Sequence, residues 1–341
     1  MKKHLTLLAA CVLAGATGAN ATCWRINPSP FAKAQFKTVA EAMADANVAA
    51  GDTLLLDPGE HGYVDTRSRN NITIIGTGYA LEQNKGWTES QSTIIKTQCC
   101  LGENSKIEGC IVKAYPVYGI TAFEIGRNSV IERCNLDYVY VSQENTVTGC
   151  MIEALTCSSS KIYNNIIIGG NNSQCGGGEN VIFENNVVVC NRAGEILTSF
   201  RNSKIRNNIV INTASGFNSE QVPYSAVLFT DGENNVIQNN VFSAPERYKN
   251  NLYPNNYYVG ATVENTFVNE GSDDAKWQLL STSAAKGAAT HGGDCGAFGG
   301  PTPYVLSGIP MFLPHITEAL VPAKPTNGKI TVKLKIENQN E

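Results

Sequence analysis

The sequence predicts an all-β fold, a right-handed parallel β-helix with an N-terminal capping helix and a C-terminal tail that ends in a strand. Three observations predict it. A short phrase recurs along the chain, as "SKIYNNIII" at residues 160–168 and "SKIRNNIVI" at residues 203–211. The copies align without gaps into columns of like residues, and the apolar segments are too short and too β-branched for helices. These features are typical of a solenoid whose coils bury their faces against each other.

The first 21 residues have the parts of a secretory signal peptide: two lysines, an apolar run and a small-residue site at Ala19-Asn20-Ala21. We therefore expect a secreted or extracytoplasmic chain that begins near Thr22. An alternative is a lipid anchor at Cys11, because "LAAC" also fits a lipoprotein-type site. No later stretch approaches the roughly 18 continuous apolar residues that a membrane helix needs. Nucleic acid is not an expected partner, because charged residues make up only 16% and no basic cluster is visible.

The main domain is predicted to span residues 22–300, with a cap at about residues 36–50 and a C-terminal tail at residues 301–341. The cap is predicted to be an amphipathic helix, since Val39, Ala42, Met43 and Ala46 recur at helical spacing before a strand that starts at Asp52. In the tail, four apolar residues alternate with polar ones and predict a half-buried terminal strand: Ile330, Val332, Leu334 and Ile336.

Seven copies of the repeat align on an inward apolar position: Ile107, Ile131, Val147, Ile162, Phe183, Ile205 and Ile237. Residues 70–78 and 261–268 are interpreted as degenerate coils. Two residues downstream, glycines and asparagines predict a one-residue left-handed bend, in which Arg133 is the exception. Four glycines, five residues upstream, predict another bend with unusual backbone angles. An apolar column eight residues upstream includes Val139, Ala154 and Cys175.

Three residues downstream, the column changes from cysteine to asparagine: Cys110, Cys134, Cys150, Asn165, Asn186, Asn208 and Asn240. We interpret it as an inward stack in which amides hydrogen-bond between coils and thiols pack in the early coils. Parallel Cβ vectors disfavour a bridge between the stacked cysteines, so reduced thiols are predicted. Cys99 and Cys100 are adjacent on a strand, so at most one should lie inside. The state of Cys23 and Cys295 is left open.

The connections between coils differ in length, and two nearly absent ones, at residues 137–138 and at residue 153, lie between long ones. A cleft is predicted there, because insertions in a solenoid tend to emerge on one side. Its floor would contain Asp137, Tyr138, Tyr140 and Glu153. Its walls would contain Tyr115 and Tyr118 on one side and Arg192 and Glu195 on the other.

Tyrosines beside carboxylates suit a sugar chain, so Tyr115, Tyr118, Tyr138, Tyr140 and Glu195 are candidate ligand-binding residues. The alternative is that the tyrosines only cover the flank of the solenoid. If the protein is an enzyme, Asp137 and Glu153 are the candidate acid and base, with Arg192 as a charge stabiliser.

Other segments have more ordinary interpretations. The tyrosine-rich residues 246–258 could be a second contact surface, although a solvated insertion is the simpler reading, and "SDDA" at residues 272–275 is expected to be a solvated loop. His61, His291 and His315 have no partners at metal-ligand spacing, so neither a metal site nor a cofactor is predicted.

Three segments carry a resemblance to a known group: the "FKTVAEAMADA…GDTLLLDPGEHGY" opening, the asparagine phrases and the closing "WQLLSTSAAKGAATHGGDCGAFGG". Over about residues 36–300 the chain resembles secreted right-handed parallel β-helix proteins of the pectate-lyase-like superfamily. With "PYVLSGIP" at residues 303–310 it looks most like uncharacterised exported bacterial members.

The resemblance implies a polysaccharide or cell-surface glycan as partner, and calcium as a possible cofactor if the protein is a lyase. The outward column seven residues upstream contains one carboxylate, Glu124, which does not make a calcium cage. The hypothesis is an extracytoplasmic glycan-binding or surface-interaction protein. The alternative is a polysaccharide lyase or glycoside hydrolase with an atypical site.

Overall fold

The computed structural model describes residues 21–84, 91–113, 123–169, 175–192, 196–216, 229–230, 232–243, 251–252, 254–257, 260–309, 315–320, 322, 324 and 328–337. The predicted signal peptide up to residue 20, Cys11, Tyr115, Tyr118 and Glu195 lie outside these residues. No helix among the described residues is long and apolar enough to span a bilayer.

Three sides of parallel strands form the solenoid, and all pairs within it are parallel. The first side has ten strands: Cys23–Ile26, Thr53–Leu56, Thr73–Ile75, Lys106–Glu108, Val130–Glu132, Thr146–Thr148, Lys161–Tyr163, Ile182–Glu184, Lys204–Arg206 and Val236–Gln238. The second side comprises Gly59–His61, Thr93–Ile95, Cys110–Val112, Asn135–Val141, Met151–Cys157, Ile166–Gly169, Val187–Cys190, Ile209–Asn212 and Val241–Phe242.

The third side starts with Val64–Asp65, Cys99–Leu101 and Phe123–Ile125. It continues through the second halves of Asn135–Val141 and Met151–Cys157 and ends with Cys175–Gly176, Leu197–Thr198 and Phe229–Thr230. Crossovers between parallel strands are almost always right-handed. The fold is therefore a right-handed parallel β-helix, as predicted.

The strand register confirms the predicted columns on the first two sides. Each inward residue of the first side pairs with its counterpart one coil away, from Ile107 through Ile162 to Ile237. On the third side one prediction was wrong: Leu155, not Ala154, pairs with Val139 and Cys175. The coil from Val147 to Ile162 has 15 residues against 16 in the coil before it, so the third side shifts by one residue there.

Both bends of each coil depend on left-handed residues. The column two residues downstream has φ between 51° and 67° throughout, Arg133 included, which confirms the predicted bend. The predicted position of the second bend was wrong. The left-handed residues lie three upstream, from Asn104 to Asn234, rather than at the glycines five upstream. Those glycines allow close packing instead: a Cβ on Gly126 would lie 2.5 Å from the carbonyl carbon of Gly102.

Amide hydrogen bonds link successive coils at the inward column. The Oδ1 atom of Asn186 accepts from both the backbone N–H and the side chain of Asn165, at 3.0 Å each. The same pattern repeats through Asn208 and Asn240 to Asn256. In the early coils each thiol donates to a carbonyl of its own coil, as Cys134 does to Glu132 at 3.2 Å. All cysteines that the structure describes are free thiols.

Two interpretations of the last coils were wrong. The described part of the tyrosine-rich segment, residues 251–252 and 254–257, forms a further coil and not a solvated insertion: Leu252 bridges Val236 and Tyr257 bridges Val241. Residues 261–268 do not form the predicted coil but contain the short helix α2, Val263–Thr266, which follows α1, Val39–Ala44. The predicted cap is α1, which buries Val39, Ala42 and Met43 over the first coil. It ends before Ala46, which is exposed.

The closing segment, residues 277–309, runs back along the flank of the solenoid. Asparagines of the downstream bend hold it: Asn239 donates to the carbonyl of Ala288, Asn207 accepts from Thr290, and Asn164 donates to the carbonyls of Ala297 and Gly299. Arg133, the exception in that column, donates to the carbonyl of Ile309 at 3.0 Å. The segment covers the outward residues of the late coils and forms a second apolar cluster with them.

"SDDA" is not the expected solvated loop. Asp274 is fully buried and joins the closing segment to an early coil: it accepts from the backbone N–H of Ser307 at 2.6 Å and from Asn84 at 3.2 Å. Asp273 is exposed.

The terminal strand forms, at Lys333–Glu337, and pairs antiparallel with His315–Leu320. Its apolar residues and those just before it are not half-buried as predicted but 47–57% exposed.

Candidate functional site

The two nearly absent connections correspond to two uninterrupted strands, which the sequence analysis did not predict. Asn135–Val141 and Met151–Cys157 each run from the second side onto the third, whereas the neighbouring coils break into two strands with residues between them. An open cleft of about 400 Å³ lies over these strands. Its lining combines polar and apolar groups: Asn135, Leu136, Asp137, Met151, Ile152, Glu153, Ile168 and Gly169.

The structure brings Asp137 and Glu153 together on the floor of this cleft. Leu136 pairs with Ile152 and Tyr138 with Ala154, so the two carboxylates lie opposite each other on adjacent strands, about 4.8 Å apart at the backbone. Burial raises the pKa of Asp137, and the neighbouring Glu153 raises it further. Lys113, on the preceding coil, acts in the opposite direction.

The other predicted floor residues lie around the corner between the second and third sides. Tyr138 directly follows Asp137 and is half-buried, and Tyr140 is 46% exposed. Arg192 lies two coils beyond Glu153, where its backbone is hydrogen-bonded to Asn212. The structure therefore places Lys113, rather than Arg192, next to Asp137.

Sequence reasoning missed Lys113, although a signal for it was present. The outward column six residues downstream of the repeat position reads Lys113, Asp137, Glu153, Ile168, Val189, Ile211 and Ser243. The first three are charged and the next three are apolar. Ile168 still borders the open cleft, whereas Val189 and Ile211 are buried under the closing segment.

A second group was also missed, on the outer surface of the third side. Val64 pairs with Cys99 and Phe123 with Cys99, which puts Asp65, Cys100 and Glu124 in one outward column. Arg67 bridges the two carboxylates, with distances of 2.7 Å to Asp65 and 2.5 Å to Glu124. The aligned copies began at residue 99, so Asp65 was outside the column from which Glu124 was judged.

Hydrogen bonds and burial shift the pKa values within this group. Tyr63 donates to Asp65 at 2.6 Å, which raises the pKa of the phenol to about 12. The bond from Arg67 holds the pKa of Asp65 well below its usual range. Cys100 points outward, opposite to Cys99, yet is fully buried, and burial raises its pKa to about 11. Both cysteines are thus buried, although only Cys99 points inside. The group is a satisfied ion-pair network.

Metal-binding groups of three or more His, Cys, Asp or Glu do not occur among the described residues. His61 is buried and bonds to the carbonyl of Asp57 at 2.8 Å, and burial lowers its pKa. His291 is exposed.

No protein-family model matches the chain, and no curated protein matches its sequence. Among solved structures it is similar to the pectin methylesterase PemA from Erwinia chrysanthemi, with 13% identity and a TM-score of 0.33 over 80% of this chain and 96% of that one. The pectin methylesterase from Aspergillus niger gives 16% identity and a TM-score of 0.33, over 80% and 95%.

A polysaccharide lyase of the PL6 family from Pseudopedobacter saltans is also similar, with 12% identity and a TM-score of 0.23 over 77% of this chain and 98% of that one. Similarity at this level gives no information on activity. The protein is a parallel β-helix protein whose candidate site is the cleft over its two uninterrupted strands.

Proposed function

We propose that this protein is an extracytoplasmic glycan-binding or surface-interaction protein and that the cleft at Asp137 and Glu153 is its binding site. The observation that carries the proposal is the pair of uninterrupted strands, because they leave an open cleft with two adjacent carboxylates on its floor. The signal-peptide features of residues 1–21 support a location outside the cytoplasm.

The chemistry of the cleft suits a sugar chain. Asp137, Glu153 and the amide of Asn135 can hydrogen-bond hydroxyl groups, while Met151 and Ile168 offer apolar surface to the C–H face of a ring. Tyr140 is exposed at the edge of the same strand and can stack on a further sugar unit. The partner would be a polysaccharide or a cell-surface glycan.

Retention of the mature protein on immobilised glycans tests the proposal. We expect binding to at least one polysaccharide, and losses of about tenfold or more in affinity for Asp137→Asn and Tyr140→Ala. Glu144→Gln is the matched control, since Glu144 is an exposed carboxylate at the bend of a cleft coil and pairs with Arg127. If the control variant and the cleft variants bind alike, the cleft is not the binding site.

One observation favours an enzyme as a second candidate. Asp137 and Glu153 are adjacent but differ in environment, because Asp137 is half-buried and Glu153 is exposed. Pairs of carboxyl groups about 5 Å apart serve as acid and nucleophile in retaining glycoside hydrolases. A panel of acidic and neutral polysaccharides, with and without calcium, should then give new reducing ends or unsaturated products. Cleavage that Asp137→Asn abolishes without a change in thermal stability would establish the enzyme.

A further inference from the structure

The first strand of the solenoid begins directly after the predicted end of the signal peptide. The small-residue site Ala19-Asn20-Ala21 predicts cleavage before Thr22. One residue later the strand Cys23–Ile26 starts, and it pairs along its whole length with Thr53–Leu56. Ala21 and Thr22 are both exposed, so the bond between them is accessible to a peptidase. Cleavage at this bond would leave a single residue in front of the strand.

A buried carboxylate accepts the backbone N–H of Thr22. The nitrogen of Thr22 lies 2.7 Å from Oδ1 of Asp52, which is only 3% exposed. The other oxygen of Asp52 accepts from the indole N–H of Trp24 at 2.7 Å and from the backbone N–H of Ala49 at 2.8 Å. Burial opposes ionisation of Asp52, but these hydrogen bonds outweigh it and hold the pKa of the carboxyl below its usual value. Asp52 is therefore an anion at neutral pH.

Cleavage before Thr22 would change the donor that faces this anion. Water adds its hydroxyl group to the carbonyl carbon of Ala21, the C–N bond breaks, and the nitrogen of Thr22 leaves as an amine that takes up a proton at neutral pH. An ammonium group thus replaces a neutral amide N–H at the same place. Hydrogen bonds between charged partners are roughly twice as strong as neutral ones, and a buried carboxylate is stabilised by such a partner. Arg69, which bonds to the carbonyl of Asp45, adds a further attraction to Asp52.

We propose that Thr22 is the processed N terminus and that its α-ammonium group forms an ion pair with Asp52, which fixes the first strand to the solenoid. Two independent observations point to this residue, because the cleavage motif is a local pattern and the carboxylate lies 30 residues away in the chain. Removal of the signal peptide thereby completes the fold. The ion pair lies at the N-terminal end of the solenoid and is independent of the cleft at Asp137.

The position of the processed N terminus is tested first. The full chain is exported from a bacterial host, and the mature protein is analysed by intact mass and N-terminal sequencing. We expect Thr22 as the first residue. An N terminus at Cys11, as the lipid-anchor alternative requires, or at any other residue would overturn the proposal, and so would a chain that stays unprocessed.

The charge is tested with three forms of the mature protein: one that begins at Thr22, one that begins at Ala21 and one whose Thr22 nitrogen is acetylated. All three keep an N–H on the nitrogen of Thr22, but only the first has the ammonium group at Asp52. We expect the Thr22 form to unfold roughly 2 °C or more above the other two at pH 7, as estimated for one charge-assisted hydrogen bond in a large domain. Equal unfolding temperatures would overturn the ion pair.

The difference in unfolding temperature should depend on pH. We expect pairing with Asp52 to raise the pKa of the amine above its unfolded value of about 8, so the added stability is present below about pH 8 and is lost as the pH rises through the folded-state pKa. It should also be lost in acid, when Asp52 takes up a proton. Arg69 and the exposed thiol of Cys23 are common to all three forms, so their titration cancels in the comparison. The acetylated and Ala21 forms should differ little from each other over the whole range.

Asp52→Asn should remove the difference between the three forms, because no anion then faces the nitrogen. Asp57→Asn is the matched control, since Asp57 flanks the other end of the strand Thr53–Leu56 and pairs with Arg25 at 2.7 Å. It should lower the unfolding temperature of all three forms equally and leave their difference intact. A difference that persists in Asp52→Asn would overturn the assignment of Asp52 as the partner. If this variant does not fold, the comparison of the three forms of the unsubstituted chain still decides.

Discussion

The outward column of the second side has two halves with the same backbone geometry and different side chains. In the late coils Val189 and Ile211 are buried beneath the apolar cluster that contains Phe267 and Trp277. In the early coils the same positions hold Asp137 and Glu153, which border an open cleft. Strand pairing therefore does not depend on the type of the outward residue. What lies over the strand, another part of the chain or open solvent, decides which side chain is tolerated there.

The downstream bend shows the same division. Asn164, Asn207 and Asn239 hold the closing segment in the late coils, whereas the early coils have Gly149 at the equivalent bend. Both residue types satisfy the left-handed backbone. The asparagines, and Arg133 in an early coil, add a side chain that binds the closing segment, whereas glycine adds none.

The largest expected difference is in the free energy of unfolding lost when an isoleucine of the outward column on the second side is replaced, in the covered half or in the open half. Ile211→Ala should lower the free energy of unfolding by about 3 kcal/mol, because it leaves a cavity beneath the closing cluster. Ile168→Ala, at the half-buried position that borders the cleft, should cost about 1 kcal/mol or less. Urea unfolding measures both. Equal losses would mean that the two halves are covered to the same extent.

A smaller effect is expected where the bend holds the closing segment. Asn207→Gly keeps the left-handed conformation but removes the acceptor for the backbone N–H and hydroxyl of Thr290, at 2.9 and 3.0 Å. We expect a loss of about 1 kcal/mol and faster hydrogen exchange at residues 285–300. Asn180→Gly, at the other bend with a φ of 58°, is the control and should leave exchange in this segment unchanged.

The smallest effect should appear in the open half and have the opposite sign. Because the pKa of Asp137 is raised in the folded protein, its ionisation destabilises the fold as the pH rises above the unfolded-state pKa. Asp137→Asn should therefore stabilise the protein at neutral pH by roughly 0.5 kcal/mol or less, as expected for a residue kept for function. The gain should vanish at acid pH, where the wild-type carboxyl is protonated in both states. A destabilised variant at neutral pH would show that Asp137 has a structural role.

The sequence alone determined the coil and the inward columns of its first two sides, but not the register of the third side at Leu155. An inward position must pack against like residues in the coils above and below, so it allows few residue types. The apolar column from Ile107 to Ile237 and the asparagine column from Asn165 to Asn240 can therefore be recognised from the sequence. The bend two residues downstream was also predicted correctly from its glycines and asparagines, and Arg133 adopts the same left-handed conformation. Counting the residues between copies of the repeat was enough to find the two very short connections, and Asp137 and Glu153 belong to them.

Tertiary structure decided everything that depends on segments distant in the chain. The closing segment buries Asp274 against an early coil, where Asn84 donates a hydrogen bond to it. The carbonyl of Ile309 accepts a hydrogen bond from Arg133. These two pairs of residues lie 190 and 176 positions apart in the sequence. The partnership of Asp65, Arg67 and Glu124 likewise needs two coils to be stacked first. No local sequence pattern encodes such contacts, because the residue types that a coil requires at these positions do not depend on which distant segment packs against them.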